Sequence, residues 1–170
     1  MEIPGSSYLY ALATVSITFV GFSALLMIFR QTMGSAITRY DSFFTLSFIQ
    51  TGFIVTAGSM LPQLLALFEW SHRTVWRASS ATMAIAILLF VGTFPVRRRA
   101  ATEGRAPLYV NILLAVQSLV ALSLLSNAIG KPLEPNGAAY ASAMAAFLVT
   151  AGIAYLMALG VMLQGPVRRP

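Results

Sequence analysis

The sequence predicts an all-α protein, a polytopic integral membrane helical bundle with about five transmembrane helices. Of its 170 residues, 58% are hydrophobic and only 9% are charged, whereas soluble domains have roughly 45–50% apolar and about 25% charged residues. The mean hydropathy of the chain is +0.78. Its apolar residues also form long runs that charged residues, Gly and Pro interrupt, which is typical of successive membrane spans.

Five of these runs are long enough to cross a hydrocarbon core about 30 Å thick, which takes roughly 20 helical residues. They are Ser7–Phe29, Ser42–Phe68, Ala78–Phe94, Leu108–Ile129 and Ala139–Leu163. Arg30 and Gly34 end the first run, and the charged stretch 69–77 separates the second from the third. Pro95 and the following arginines are expected to end the third, because proline disfavours continuation of a helix. We therefore expect residues 1–170 to form a single transmembrane domain with no soluble domain.

Positive charge is unequally divided between the two sides of the predicted membrane. Eight of the eleven Lys and Arg residues lie on the side of the C-terminus and three on the side of the N-terminus. Because loops rich in Lys and Arg stay in the cytoplasm, we expect the N-terminus outside and the C-terminus inside. The main topology anchors are Arg97, Arg98, Arg99 and Arg105.

The partner that this charge implies is the lipid bilayer and not a nucleic acid, because basic residues beside a membrane attract anionic headgroups. The positions of aromatic residues agree with the predicted ends of the spans, since amphipathic rings prefer the membrane–water interface. Those near predicted interfaces are Tyr8, Tyr10, Trp70, Trp76, Tyr109 and Tyr140.

The sequence favours no enzymatic function. It has no cysteine, so disulfides, thiolate metal sites and Cys nucleophiles are excluded. The predicted spans have no ionisable residue in their middle, where proton relays and ion-coupled carriers keep such groups, and acid–base catalysis also needs a titratable side chain. Glu69 and His72 are three residues apart, but a di-iron bundle needs two such elements and further carboxylates. We expect no catalytic residue, no metal site and no cofactor.

Small and uncharged polar residues recur at helical spacing in the second predicted span. They are Thr45, Gly52, Thr56, Ser59 and Gln63, and this spacing places them on one face of a helix. A similar stripe in the first span consists of Ser7, Ala11, Thr14, Thr18 and Gly21. We expect the two stripes to face each other, either as a packing seam or as a water-filled path lined by neutral dipoles.

Pro62 lies inside the second predicted span, four residues after Gly58. A proline removes one backbone donor and disturbs the carbonyl one turn earlier, so we expect a kink near Gly58. Four amide side chains are costlier to bury in lipid than Ser or Thr, and we expect them to point at other helices or at a partner protein. They are Gln50, Asn111, Gln117 and Asn127.

The fifth predicted span is rich in small residues. Ala141 with Ala145, and Ser142 with Ala146, have the small-xxx-small spacing of close helix contacts. This pattern fits either an interface between subunits or a helix inside the bundle.

Two functions agree with these observations. The favoured one is a homo-oligomeric channel or passive facilitator with a neutral polar pathway. The alternative is a non-catalytic accessory or assembly subunit of a larger membrane complex. Because five spans are few for a carrier that alternates access alone, both hypotheses imply a homo-oligomer or other membrane subunits. Arg outnumbers Lys ten to one and Ala is abundant, which is typical of a GC-rich bacterial genome, so we expect a multi-pass protein of the bacterial inner membrane.

Overall fold

The computed structural model describes residues 5–32, 38–102, 106–131 and 134–163. Within these ranges the regular elements are five α-helices: α1 (Ser6–Thr32), α2 (Arg39–Ala66), α3 (His72–Ala101), α4 (Leu108–Ile129) and α5 (Gly137–Leu163). All five are long and apolar enough to span a membrane. The shortest, α4, has 22 residues and is therefore about 33 Å long. The prediction of an all-helical chain with five helices of membrane length is confirmed, and such a chain indicates a multi-pass membrane protein.

The helices run alternately up and down. The ring of Phe43, early in α2, lies 5.2 Å from that of Phe94, late in α3, and Asn127, late in α4, bonds to Ser80, early in α3. α2, α3, α4 and α5 form a ring in which each helix packs on two neighbours, whereas α1 packs mainly on α2 from outside. We call the end of the bundle with connections 67–71 and 130–136 the amino end, and the opposite end the carboxyl end.

Capping residues set the starts of α2 and α3. Thr38 and Asp41 form a capping box, in which the Asp41 N–H donates to Thr38 Oγ1 at 3.1 Å and the Thr38 N–H donates to Asp41 Oδ2 at 3.0 Å. Ser71 Oγ accepts a hydrogen bond from the Thr74 N–H at 3.3 Å. Both helices therefore begin before the apolar runs, because side-chain oxygens satisfy the first backbone donors.

The prediction that Pro95 and the arginines end the third helix is wrong. α3 continues through Pro95 to Ala101. A proline removes only one intrahelical hydrogen bond, and transmembrane helices tolerate that loss. Arg97, Arg98 and Arg99 consequently lie on the last turns of a helix and not in a loop. Arg105 lies outside the described residues.

The predicted stripe of α1 does not face α2. Its members are exposed: Ser7, Ala11, Thr14, Thr18 and Gly21. The hydroxyls of Thr14 and Thr18 donate to carbonyls of their own helix, at 2.9 and 2.7 Å, so they need no partner on another helix. The buried side of α1 consists of Leu9, Ala13, Ser16, Val20 and Ser23.

The contact between α1 and α2 is centred on Gly52. Ser16 Oγ donates to the Gly52 carbonyl at 2.9 Å, and Val20 occupies the space that a side chain at Gly52 would need. Gly52 therefore allows the two backbones to approach closely, as small residues do in membrane helix pairs.

Candidate functional site

A hydrogen bond between α5 and α2 replaces the one that Pro62 removes. Gly58 precedes Pro62 by four residues, so its carbonyl lacks the usual intrahelical donor. The Tyr140 hydroxyl donates to this carbonyl at 2.6 Å, and Tyr140 is fully buried. The side chains of Met83 and Met144 fill the space beside Gly58. The structure thus places a polar contact between helices near Gly58, while the kink itself stays a prediction.

Asn127 connects three elements at the amino end. Its Nδ2 donates to Ser80 Oγ at 2.8 Å and to the Asn136 carbonyl at 3.2 Å. Its Oδ1 accepts from the Asn136 N–H at 3.0 Å. The next residue, Gly137, lies against the ring of Trp76, where a Cβ would approach to 2.5 Å. This amide therefore holds α4 to α3 and to the start of α5.

The predicted stripe of α2 lies largely in packed surroundings. Thr45 and Ser59 are buried, and Gly52 contacts α1 as described above. Thr56 is half-buried and donates to the Gly52 carbonyl of its own helix at 2.9 Å. Gln63 is also half-buried. Three of the five residues of the stripe, Thr45, Gly52 and Ser59, are thus buried in the single chain.

A cavity with a volume of about 50 Å³ lies among α2, α3, α4 and α5 in the carboxyl half and is partly open to the outside. A single water needs about 10–15 Å³ measured in this way, so the cavity can hold water or a small apolar group. Six of its fourteen lining residues are aromatic, and Ser47, Thr51 and Gln117 give it polar side chains. Gln117 is buried, and the Ser47 hydroxyl has no hydrogen-bond partner among the described residues.

Arg97 is half-buried, and its side chain lies back along α3 at the seam with α2. Its Nη1 donates to Gln50 Oε1 on α2, and its Nη2 donates to the Phe90 carbonyl at 3.4 Å. The guanidinium carbon lies 5.1 Å from the centroid of the Phe90 ring. Gln50 therefore does point at another helix, and its partner is a cation.

Two surface cavities lie along the seam between α2 and α3, and together we call them the α2–α3 groove. The inner cavity, about 820 Å³, is bordered by Gln50, Phe53, Leu89, Gly92, Val96 and Arg97. The outer cavity, about 450 Å³, is bordered by Thr38, Arg39, Ser42, Leu46 and Ala100. Because Leu46 and Gln50 are one helical turn apart, the two cavities are neighbours along the seam.

Arg98, Arg99 and Asn111 lie between α3 and α4. They border a cavity of about 420 Å³. Arg98 is buried, whereas Arg99 and Asn111 are exposed. The three arginines at the end of α3 therefore have different surroundings, although the sequence presents them as one run.

α5 exposes small residues along the half of its length nearest the amino end. They are Ala138, Ala139, Ser142 and Ala146. The exposed face of α4 carries large apolar residues such as Leu119 and Leu122. α1 exposes both large residues, such as Phe19 and Phe22, and its stripe of small residues from Ser7 to Gly21. Ser142 also borders an amino-end groove of about 660 Å³. We call the four exposed small residues the α5 face.

The amino-end groove has a polar rim. It is bordered by His72, Arg73 and Glu134, and Arg73 Nη2 lies 4.0 Å from Glu134 Oε1. Both side chains of this ion pair are largely exposed, so it contributes little to stability. The rim adds charged groups next to the α5 face.

The chain matches no protein-family model, no curated protein and no solved structure. Two features of these sites were missed by sequence reasoning. One is the hydrogen bond from the fully buried Tyr140 to Gly58; the carbonyl that Pro62 frees was the signal that a donor would be needed. Arg97 was assigned to a loop. Because helical side chains tilt toward the N-terminus, an arginine late in a helix points toward its middle.

Proposed function

We propose that the protein is a non-catalytic accessory or assembly subunit of a membrane complex, the second of the two hypotheses from the sequence. The main support is a contrast between its interior and its surface. Polar groups of the interior, such as Tyr140 and Asn127, bond to other parts of the same chain. The α5 face, by contrast, is exposed.

Small exposed residues on a membrane helix favour contact with protein over contact with lipid. Apolar association gains little within a bilayer, so helices associate through close packing, which small residues allow. Ala139, Ser142 and Ala146 are separated by three and four residues and therefore lie along one edge of α5. A transmembrane helix of another subunit is the partner that such an edge fits.

Ala146→Leu tests this assignment. Overpacking a close contact costs about 1–3 kcal/mol, so we expect roughly tenfold weaker association of the complex. The measurement is the mass of the complex, taken by native mass spectrometry after extraction with surrounding lipid. The matched control is Ala115→Leu, because Ala115 is exposed on α4 among large apolar residues and should tolerate the same enlargement. Equal masses for the two variants and the wild type would refute the α5 face as the interface.

The cavity of the carboxyl half supports a second candidate, the channel or passive facilitator. Ser47, Thr51 and Gln117 give it a polar side, and neutral dipoles of this kind line many pores. Under this candidate, vesicles containing the protein would shrink faster in stopped-flow light scattering with water or glycerol as permeant, and Gln117→Leu would abolish the excess rate. Reconstituted wild-type protein without any excess rate would contradict it.

We propose that the carboxyl end faces the cytoplasm, in the inner membrane of a bacterium, and that the N-terminus is outside. The support is the excess of Lys and Arg at this end of the chain's helices. A reporter fused after Pro170 should be active only in the cytoplasm. Activity of a periplasmic reporter at the same position would overturn this orientation.

A further inference from the structure

We infer that the α2–α3 groove binds one phospholipid with a net negative charge. Its phosphate would pair with Arg97, its headgroup would lie toward Arg39, and an acyl chain would cover the apolar wall. This inference goes beyond the proposed function, because it does not depend on which complex the protein joins.

The first argument is the position of the Arg97 charge. Its Nη2 bonds to the carbonyl of Phe90, seven residues earlier and thus about 10 Å back along the helix axis. Long basic side chains near the end of a membrane helix usually extend outward to the interface. This one points toward the middle of the helix, where a cation is costly unless an anion or several polar groups accompany it.

The second argument is the supply of hydrogen-bond donors. A guanidinium has five N–H groups, four of them on its two terminal nitrogens. Nη1 donates to Gln50 Oε1 and Nη2 to the Phe90 carbonyl, and both of these acceptors are neutral. Among the described residues, no acceptor takes the other two terminal N–H groups, and paired N–H groups of arginine match the oxygens of a phosphate in charge and spacing.

The third argument is the change of polarity along the groove. The outer cavity has a second arginine, Arg39, and the hydroxyl side chains of Thr38 and Ser42. The inner cavity is lined by apolar side chains such as Phe53 and Leu89. A phospholipid has the same order of polar headgroup and apolar chain, and basic pockets between membrane helices bind anionic headgroups. An apolar transmembrane helix of another protein would fit the apolar wall, but it would bring no negative charge to Arg39 and Arg97.

The test uses the purified full chain with equimolar phosphatidylglycerol and phosphatidylcholine that have identical acyl chains. Native mass spectrometry in mild detergent then counts the lipids retained by each protein molecule. We expect one retained phosphatidylglycerol in the wild type and roughly five- to tenfold less in Arg97→Gln, because one strong charge-assisted contact is lost. Arg99→Gln is the matched control, since it removes the same charge from the same helix end at an exposed residue and should retain the lipid.

Gly92→Leu tests the groove without any change in charge. A Cβ at Gly92 meets no other atom within 4 Å, so a larger side chain can be accommodated by the fold while it fills the space for an acyl chain. We expect this variant to lose the lipid and to keep the helical content of the wild type. It also keeps the test valid if Arg97→Gln does not fold.

Three results would overturn the inference. One is equal retention of the two lipids by the wild type. Another is the same retention in Arg97→Gln, or in Gly92→Leu, as in Arg99→Gln. The third is a photo-reactive residue at position 89 that captures another protein in native membranes and no lipid, because the occupant of the groove would then be a partner helix.

Discussion

The amino and carboxyl halves of the bundle hold the same helices together in different ways. In the amino half, side chains bond across helices, as Tyr140 does to Gly58 and Asn127 to Ser80. In the carboxyl half, aromatic rings provide much of the contact: Phe48 stacks on Tyr155 with centroids 4.3 Å apart. The cavity lies there too, and the hydrogen bond that joins Arg97 to Gln50 in this half is at the surface.

This difference assigns different roles to the two halves. Hydrogen bonds between buried groups are directional and costly to leave unmade, so the amino half fixes the relative positions of α2, α3, α4 and α5. Aromatic rings pack in several geometries of similar energy, and a cavity gives them room. We therefore expect substitutions in the amino half to affect stability most, and substitutions in the carboxyl half to affect binding.

Gly137→Ala should be the most destabilising of the changes that compare the two halves. A Cβ at this position would lie 2.5 Å from the buried ring of Trp76, and overpacking of this kind costs about 2–3 kcal/mol. The free energy of unfolding can be measured by SDS titration in mixed micelles. Gly152→Ala is the control, because a Cβ there meets nothing within 4 Å; it should be neutral or stabilising by about 0.5–1 kcal/mol. Equal effects would mean that the contact between Trp76 and Gly137 is not tight.

Tyr140→Phe should have the next largest effect, about 1–2 kcal/mol, because it leaves the buried Gly58 carbonyl without a donor. Pro62→Ala supplies a backbone N–H to the same carbonyl, so it should stabilise the Tyr140→Phe protein more than it stabilises the wild type. A double-mutant cycle measured by the same SDS titration gives the coupling directly. Additive effects of the two substitutions would show that Tyr140 does not replace the bond lost at Pro62.

A pair of Ser→Ala changes should have the smallest effects on stability, and only the change in the amino half should be destabilising. Ser80→Ala removes the acceptor of the 2.8 Å bond from Asn127 and should destabilise by about 1 kcal/mol. Ser47→Ala, in the carboxyl half, removes a buried hydroxyl without a partner among the described residues, and should be neutral or slightly stabilising. Thermal unfolding of both variants in one detergent checks this, and a loss at Ser47 as large as that at Ser80 would contradict it.

The number of helices could be predicted from the sequence because it depends on the length of apolar runs. The ends of the helices could not, since α2 and α3 begin at polar caps and α3 continues past Pro95. The prediction that the small stripe of α1 faces α2 was also wrong. A threonine such as Thr14 can bond within its own helix, so its spacing does not show which side meets a neighbour.

The candidate site was less predictable than the fold. The amide of Asn127 was expected to point at other helices, and its partners are indeed Ser80 of α3 and Asn136 before α5. The choice of partner, however, depends on residues distant in sequence: Gln50 and Arg97 are 47 positions apart. The spacing of residues within one helix cannot predict such a pair, because the pair depends on how α2 packs on α3.

The most direct test of the subunit hypothesis is the native mass and protein composition of the particles extracted from native membranes with their lipid. We expect a stoichiometric complex with other membrane proteins, which Ala146→Leu dissociates and Ala115→Leu leaves intact. A particle that contains only this 18.3 kDa chain, as a monomer or as a ring, would contradict it. A ring of identical chains would favour the channel hypothesis over the subunit hypothesis.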